Sequence, residues 1–244
     1  ASSLTHPHTI RVFDFGASDD GVFFIAMELL DGMDLEVLVE RVGALPPARV
    51  VHIARQICGS LSEAHGRGLV HCDLKPANLF VTKMGEEYDF AKVLDFGLAR
   101  LQYGQAQTTE SIRGTPAYMP PEILRGEAPV PQSDVYAMGA VLYWMVTGTS
   151  VFASQRIADS VLAHLERTPE RPSARLGRDV PRDLESIILT CLAKKPAERY
   201  GDARELGEAL AACTVADTWP AGAARASWQE LRPSLQRMPA ARSR

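Results

Sequence analysis

Cysteine is scarce and scattered in this chain of 244 residues. There are four (Cys58, Cys72, Cys191 and Cys213), with no CxxC pair and no metal-ligand spacing. That pattern excludes a disulfide framework and a zinc module, and the four read as reduced thiols of a cytoplasmic protein. Long hydrophobic runs are also missing. The best candidate, Ala137 to Val146, has ten residues, about half a membrane span and well suited to a buried core helix. No basic-then-apolar leader opens the chain, which begins Ala1-Ser2-Ser3-Leu4 rather than with methionine, so Ala1 need not be the first residue of the gene product. The formal net charge of -4 offers nothing to attract nucleic acid. No GxGxxG phosphate loop and no internal repeat occurs.

What is present suits one large domain or a domain and a half. Hydrophobic residues make up 46% and charged residues 23%, enough apolar side chain for a sizeable core. Residues 9–16 and 22–30 flank the polar turn Ala17 to Gly21 and predict a β-hairpin. The second strand is apolar on both faces from Val22 to Met27, the pattern of a strand covered on each side. A lone hairpin is marginal in water, so these strands expect partners that this sequence does not contain. Helical spacing follows at Leu35/Leu38/Val39/Val42 and, after Pro46-Pro47, at Val50/Ala54/Ile57/Leu61/Ala64. Short strands are predicted at Leu79–Thr82 and Lys92–Leu94. A strongly apolar helix, capped by Ser133 or Asp134, runs to about Val146 with Gly148 beyond it. Further helices are predicted near 155–166, 181–193 and 202–213. From 225 to 244 five arginines face one glutamate, Glu230, and the Ala/Arg/Pro-rich segment 214–244 reads as a mobile tail.

The chemistry concentrates in His71-Cys-Asp73-Leu-Lys75-Pro-Ala-Asn78 and, 17 residues after Asn78, Asp95-Phe96-Gly97. An acid, a cation, an amide and a second acid in that order meet the needs of chemistry on a metal-bound phosphate. A carboxylate orients a hydroxyl, a lysine neutralises the moving phosphoryl group, and two oxygen donors hold a hard cation. The two motifs resemble the catalytic and metal-binding loops of eukaryotic-type serine/threonine protein kinases, bacterial members included. The resemblance extends over residues 4–213.

The resemblance implies an α+β, protein-kinase-like fold. Residues 31–213 would form a mostly helical C-lobe, residues 1–30 a β-hairpin remnant of the N-lobe with the hinge, and 214–244 the flexible tail. It implies ATP with Mg2+, or Mn2+ in its place, as cofactors, and serine or threonine of a protein as acceptor. No nucleic acid and no membrane segment enters. Asp73 would be the catalytic acid, Lys75 the phosphoryl partner, and Asn78 and Asp95 the metal ligands. His71, Phe96 and Gly97 would support them. Gly114-Thr-Pro-Ala-Tyr-Met-Pro-Pro-Glu122 is similar to the end of the activation segment, with Pro120 in place of the usual Ala. There Thr115 would bond Asp73 and Lys75, and Glu122 would pair with Arg199. Asp134 would hold the catalytic-loop backbone. Met27-Glu28-Leu29-Leu30 resembles the hinge, so backbone groups of Glu28 and Leu30 would bond adenine beside Met27. Asp34 would reach the ribose and Phe80 would pack under the ring.

Two departures from the family pattern stand out. The segment Leu4-Thr-His-Pro7-His resembles the turn before the fourth strand, which places the Gly-rich loop, its lysine partner and the helix glutamate ahead of Ala1. The 244 residues alone are therefore expected to show negligible phosphoryl transfer. A kinase-like scaffold and, behind it, a small-molecule phosphotransferase of the aminoglycoside-kinase type remain the alternatives. Second, Cys72 stands where the family carries an arginine that pairs with a phosphorylated activation loop. Phosphates on Thr108, Thr109 or Ser111 then have no local cation to recruit. Replacing all three by alanine is expected to leave most activity of the full-length protein intact, and loss of that activity in a kinase assay would overturn this reading of Cys72.

Overall fold

The computed structural model describes residues 4–18, 20–96, 116–154 and 156–235. β1 (Val12–Ala17) and β2 (Phe23–Met27) form an antiparallel hairpin, with Ala17 opposite Phe23 and Val12 opposite Met27. Neither face is covered. Phe13, Phe15, Phe24 and Ile25 are exposed, Phe23 is 86% exposed and Leu29 99%. The strand that the sequence marks as covered on each side thus presents both faces to solvent in this chain.

A separate three-stranded sheet has the order β3 (Gly32–Asp34), β4 (Leu79–Met84), β5 (Glu87–Val93), antiparallel throughout. Its register places Asp34, Phe80 and Lys92 side by side. Cross-strand neighbours share a face, so three distant residues become one row. β5 starts five residues before the predicted strand. Its polar members Asp89 and Lys92 hid it, since both are buried with partners rather than alternating outward. Among the described residues no further strand lies on the outer edge of β5. Gln56 bonds the Asp89 carbonyl and the Ala91 N–H, while His8 and Ile10 bond Val93.

α1 (Leu35–Val42) begins at Asp34, whose carboxylate accepts the Val37 N–H at 2.8 Å, and closes at Gly43. That bond satisfies one of the donors orphaned at a helix start. α2 (Pro47–Gly66) uses Pro47 at its first position, where the missing N–H costs nothing. The short α3 (Pro121–Leu124) precedes α4 (Pro131–Thr147). Every α4 residue from Ser133 to Thr147 is buried, as expected of a helix apolar around its circumference. Its start lies two residues before the predicted cap. Ser133 occupies the third position and accepts the Val130 N–H, while Asp134 is released from capping for another task. Gly148 closes α4 with φ 72°, its N–H bonding the Trp144 carbonyl at 2.7 Å.

α5 (Ile157–Glu166), α6 (Pro172–Leu176), α7 (Arg182–Cys191) and α8 (Ala203–Ala211) complete the helical layer around α4 and α2. The expectation of a mobile tail from residue 214 is corrected over the described part. Residues 221–235 form α9 (Ala221–Leu235), which buries Ala224, Trp228 and Leu231. Those positions recur at i, i+4 and i+7, so an apolar stripe lies within an arginine-rich composition.

Close packing of α4 on α7 depends on Gly139, where an added Cβ would lie 2.5 Å from the Cys191 Cβ. Gly139→Ala is expected to cost about 1–3 kcal/mol through overpacking. Gly222→Ala in α9, where nothing lies within 4 Å of the added methyl, should raise stability by about 0.5–1 kcal/mol. Urea denaturation of the two variants checks both signs.

Candidate active site

Between α2 and the 3-10 turn Pro76–Asn78, the segment His71–Lys75 has no regular structure and must therefore be held by side chains. Asp134 on α4 holds it. Its buried carboxylate accepts the His71 N–H (2.8 Å) on Oδ2 and the Cys72 N–H (3.0 Å) on Oδ1, and Oδ2 also accepts His65 Nε2–H at 2.9 Å. Cys72 is thereby fixed at φ 69°, a left-handed conformation that costs a residue with a Cβ about 1–3 kcal/mol. The His71 ring donates from Nε2 to the Leu94 carbonyl at 2.7 Å and accepts the Asp73 N–H on Nδ1 at 3.3 Å. One imidazole thus links the loop of Asp73 to the strand end that leads into Asp95. Phe96 is buried, and its ring meets the His71 ring edge-on with centroids 4.8 Å apart.

Two side chains converge on one oxygen of Asp73. Lys75 Nζ lies 2.7 Å from Asp73 Oδ2, and Asn78 Nδ2 donates to the same oxygen at 3.0 Å and to the Asp73 carbonyl at 2.7 Å. With its amide nitrogen spent on Asp73, Asn78 keeps its oxygen for another ligand. The Asn78 carbonyl accepts the Leu94 N–H at 2.9 Å, bringing Asn78 next to the Asp95 turn. Asp95 itself sits at φ 60°, again left-handed. Among the described residues no group of three His, Cys, Asp or Glu side chains could hold a metal alone. Two oxygen donors, one carboxylate and one amide, fit a hard divalent cation that takes its remaining ligands from phosphates and water. Gly97 and Thr115 lie outside the described residues, as do Thr108, Thr109 and Ser111.

At the other end, the row Asp34–Phe80–Lys92 runs toward the β2 exit. Lys92 Nζ pairs with Glu28 Oε1 at 2.7 Å and also reaches the Thr9 carbonyl. Burial alone would raise the Glu28 carboxyl, but the bonds from Lys92 and the Arg11 N–H outweigh it and hold it below the usual range. Glu28 therefore offers backbone rather than side chain to a ligand, and its own N–H is already taken by the Arg11 carbonyl. Met27 and Leu30 flank it, exposed and half-buried. One Asp34 oxygen is spent on capping α1, and burial pushes this carboxyl above its ordinary value.

Glu122 and Arg199 form a two-bond pair at 2.7 and 2.9 Å, almost wholly buried. Ser133 adds a third bond to Glu122, and Arg199 also donates to the carbonyls of Gln132, Ala193 and Lys194. Burial works against the Glu122 charge, but the Arg199 guanidinium more than offsets it and lowers the carboxyl. Sequence reasoning missed His65 and the Lys92–Glu28 pair, both of which need the tertiary register. Beside Asp73 a cavity of about 20 Å³ is lined by Leu74, Tyr118, Met119 and Ile123, among others. A far larger one of about 730 Å³, between Arg171 and Thr190, includes none of the site residues.

Residues 1–211 match the model of the protein kinase domain family. The chain is 42% identical over 209 residues to the serine/threonine-protein kinase pkn3 of Myxococcus xanthus, covering 83% of this chain and 38% of that protein. It is 37% identical over 208 residues to the serine/threonine-protein kinase PrkC of Bacillus subtilis, covering 84% and 31%. The chain thus spans less than half the length of these curated relatives. Among solved structures, the kinase domain of Mycobacterium tuberculosis PknI superposes with TM-score 0.64 at 27% identity, covering 86% of this chain and 73% of that one. Rad53 in complex with AMP-PNP superposes with TM-score 0.70 at 26% identity, covering 84% and 51%.

Removing one partner of the buried pair leaves an uncompensated charge. Glu122→Ala is expected to cost about 3–5 kcal/mol near neutral pH. Because the folded Glu122 carboxyl lies below its unfolded value, the pair stabilises above the unfolded carboxylate pKa. That contribution is lost as pH falls through the lowered folded value. Denaturant titrations over a pH series should therefore show the gap between wild type and Glu122→Ala closing in acid.

Proposed function

The chain belongs to the protein kinase family, and on that premise we propose that it carries the acceptor and metal side of a serine/threonine protein kinase site. The reaction moves the γ-phosphoryl group of ATP to a Ser or Thr hydroxyl of a protein. The observation that carries this reading is the convergence of Lys75 and Asn78 on Asp73 Oδ2 at 2.7 and 3.0 Å. Both bonds are to one oxygen, and among the described residues none is to Oδ1. Asp73 can thus receive a hydroxyl proton on Oδ1 while Lys75 and Asn78 hold its orientation.

In the proposed step the substrate oxygen forms a bond to the γ-phosphorus as its proton passes to Asp73. The bridging P–O bond breaks and ADP leaves. Lys75, held beside Asp73, would balance charge on the equatorial phosphoryl oxygens. Asn78 and Asp95 would hold Mg2+, or Mn2+ in its place, which when bound neutralises charge on the phosphate oxygens. The backbone of Glu28 and Leu30 would bond the adenine, with Met27, Phe80 and Asp34 around it. The Lys-Pro that follows Asp73 and Leu74, together with the Gly114–Tyr118 segment, supports Ser/Thr over Tyr as acceptor. Thr115 and Gly97 enter this reading through the family alone. Four free thiols, three of them buried, support a reducing, cytoplasmic setting.

The scaffold reading would need none of Asp73, Lys75, Asn78 and Asp95, and their mutual geometry favours catalysis. The test is phosphoryl transfer from labelled ATP to a protein substrate by the protein as expressed from its gene. Asp73→Asn is expected to lower the rate about 10²–10⁴-fold with the fold unchanged by circular dichroism. An unaltered rate would remove Asp73 from the mechanism.

A further inference from the structure

The family match ends at residue 211, yet the chain continues as an ordered segment with its own polar anchor. Asp89 on β5 is wholly buried and takes four hydrogen bonds. Two come from Arg49 on α2, at 2.9 and 2.7 Å. The other two are indole N–H bonds from beyond the family match, Trp219 at 3.0 Å and Trp228 at 2.8 Å. Arg49 also donates to Ser227 at 2.8 Å and lies over the Trp219 ring, 5.5 Å from its centroid. A carboxylate accepts about four hydrogen bonds at most, so the C-terminal segment supplies half of what this buried charge needs.

The position of Asp89 makes that anchor relevant to the site. It sits at φ 56° on β5 where the β4–β5 register shifts. Three residues on, about 10 Å along a strand, Lys92 fixes Glu28. Three more lead to Asp95. We infer that residues 214–231 form a strap that positions β5 through Asp89, and through β5 sets Asp95 for phosphoryl transfer. The inference rests on the reading of Asp95 as a metal ligand. Trp219 and Trp228 are positioning residues, since neither touches the reacting atoms.

Hydrogen exchange of the 244-residue chain, read by mass spectrometry, tests the reach of the strap. Trp228→Phe keeps an aromatic ring and removes one donor to the buried carboxylate. It should speed exchange of residues 90–95 about tenfold, with residues 137–146 of α4 unchanged. Arg225→Ala, which removes the exposed Arg225–Glu86 pair and the cation–π contact with Tyr88 but no donor to Asp89, should leave residues 90–95 at the wild-type rate. Faster exchange confined to 214–235 would overturn the inference. So would equal acceleration in α4, which would make the strap a general stabiliser. If Trp228→Phe does not fold, Trp219→Phe is read by the same criteria, and failure of both again means a general stabiliser. In a second readout, Mn2+ and ADP serve as probes, with free Mn2+ followed by electron paramagnetic resonance. Trp228→Phe should weaken their binding at least threefold and Arg225→Ala should not; equal affinities overturn the link to Asp95. If the wild-type chain binds no Mn2+ with ADP, the metal reading of Asp95 fails, while the exchange experiment still decides whether the strap positions β5.

Discussion

The buried carboxylate of Asp134 is the constraint on which the site depends. The segment carrying His71, Cys72 and Asp73 has no ladder of its own, so its N–H groups need acceptors inside the protein. Asp134 supplies them from α4, which is buried from Ser133 to Thr147. The same bonds hold Cys72 in a left-handed conformation, a strain that persists because the surrounding structure over-determines it. His65 donates to the same carboxylate and ties α2 into the junction. Position of Asp73, the proposed catalytic acid, is thus set by the packing of the core.

From that junction two further connections give the site its dimensions. His71 passes through its ring to the Leu94 carbonyl, and Asn78 through its backbone to the Leu94 N–H. The loop of Asp73 and the turn of Asp95 are therefore registered to each other by two bonds on one residue. Beside the start of α4, the buried pair of Arg199 and Glu122 serves a different purpose. Their pair fastens α3 to the 194–199 loop. A buried ion pair adds little over a well-packed apolar contact, but its geometry is specific and breaking it is costly. Polar bonds of this kind fix positions within a core whose cohesion comes from apolar burial.

The hairpin β1–β2 follows the opposite logic. Its strand β2 is apolar on both sides and open to solvent on both, a surface that favours association with another sheet or helix. What ties it to the rest is the Glu28–Lys92 pair together with the His8 and Ile10 bonds to Val93. The proposed adenine side of the site is therefore joined to the metal side through one strand, β5.

Much of this was legible in the residues themselves. Asp73, Lys75, Asn78 and Asp95 point to the proposed chemistry because phosphoryl transfer needs those groups, and here they stand in order on a loop and just beyond the end of β5. The long helices are readable because their apolar positions recur at the helical period, and Pro47 and Gly148 mark their ends. Other features could be settled only in three dimensions. The polar residues of β5 disguised a strand, since Asp89 and Lys92 are buried against partners 40 or more residues away in sequence. The stripe Ala224/Trp228/Leu231 was hidden by the arginines around it, and a segment read as tail became a helix. The sequence by itself determined which groups are available for chemistry, because that follows from their types and spacing. Only the tertiary structure decided which of them meet and which buried charges are matched, because those bonds join residues brought together by the folding of the core.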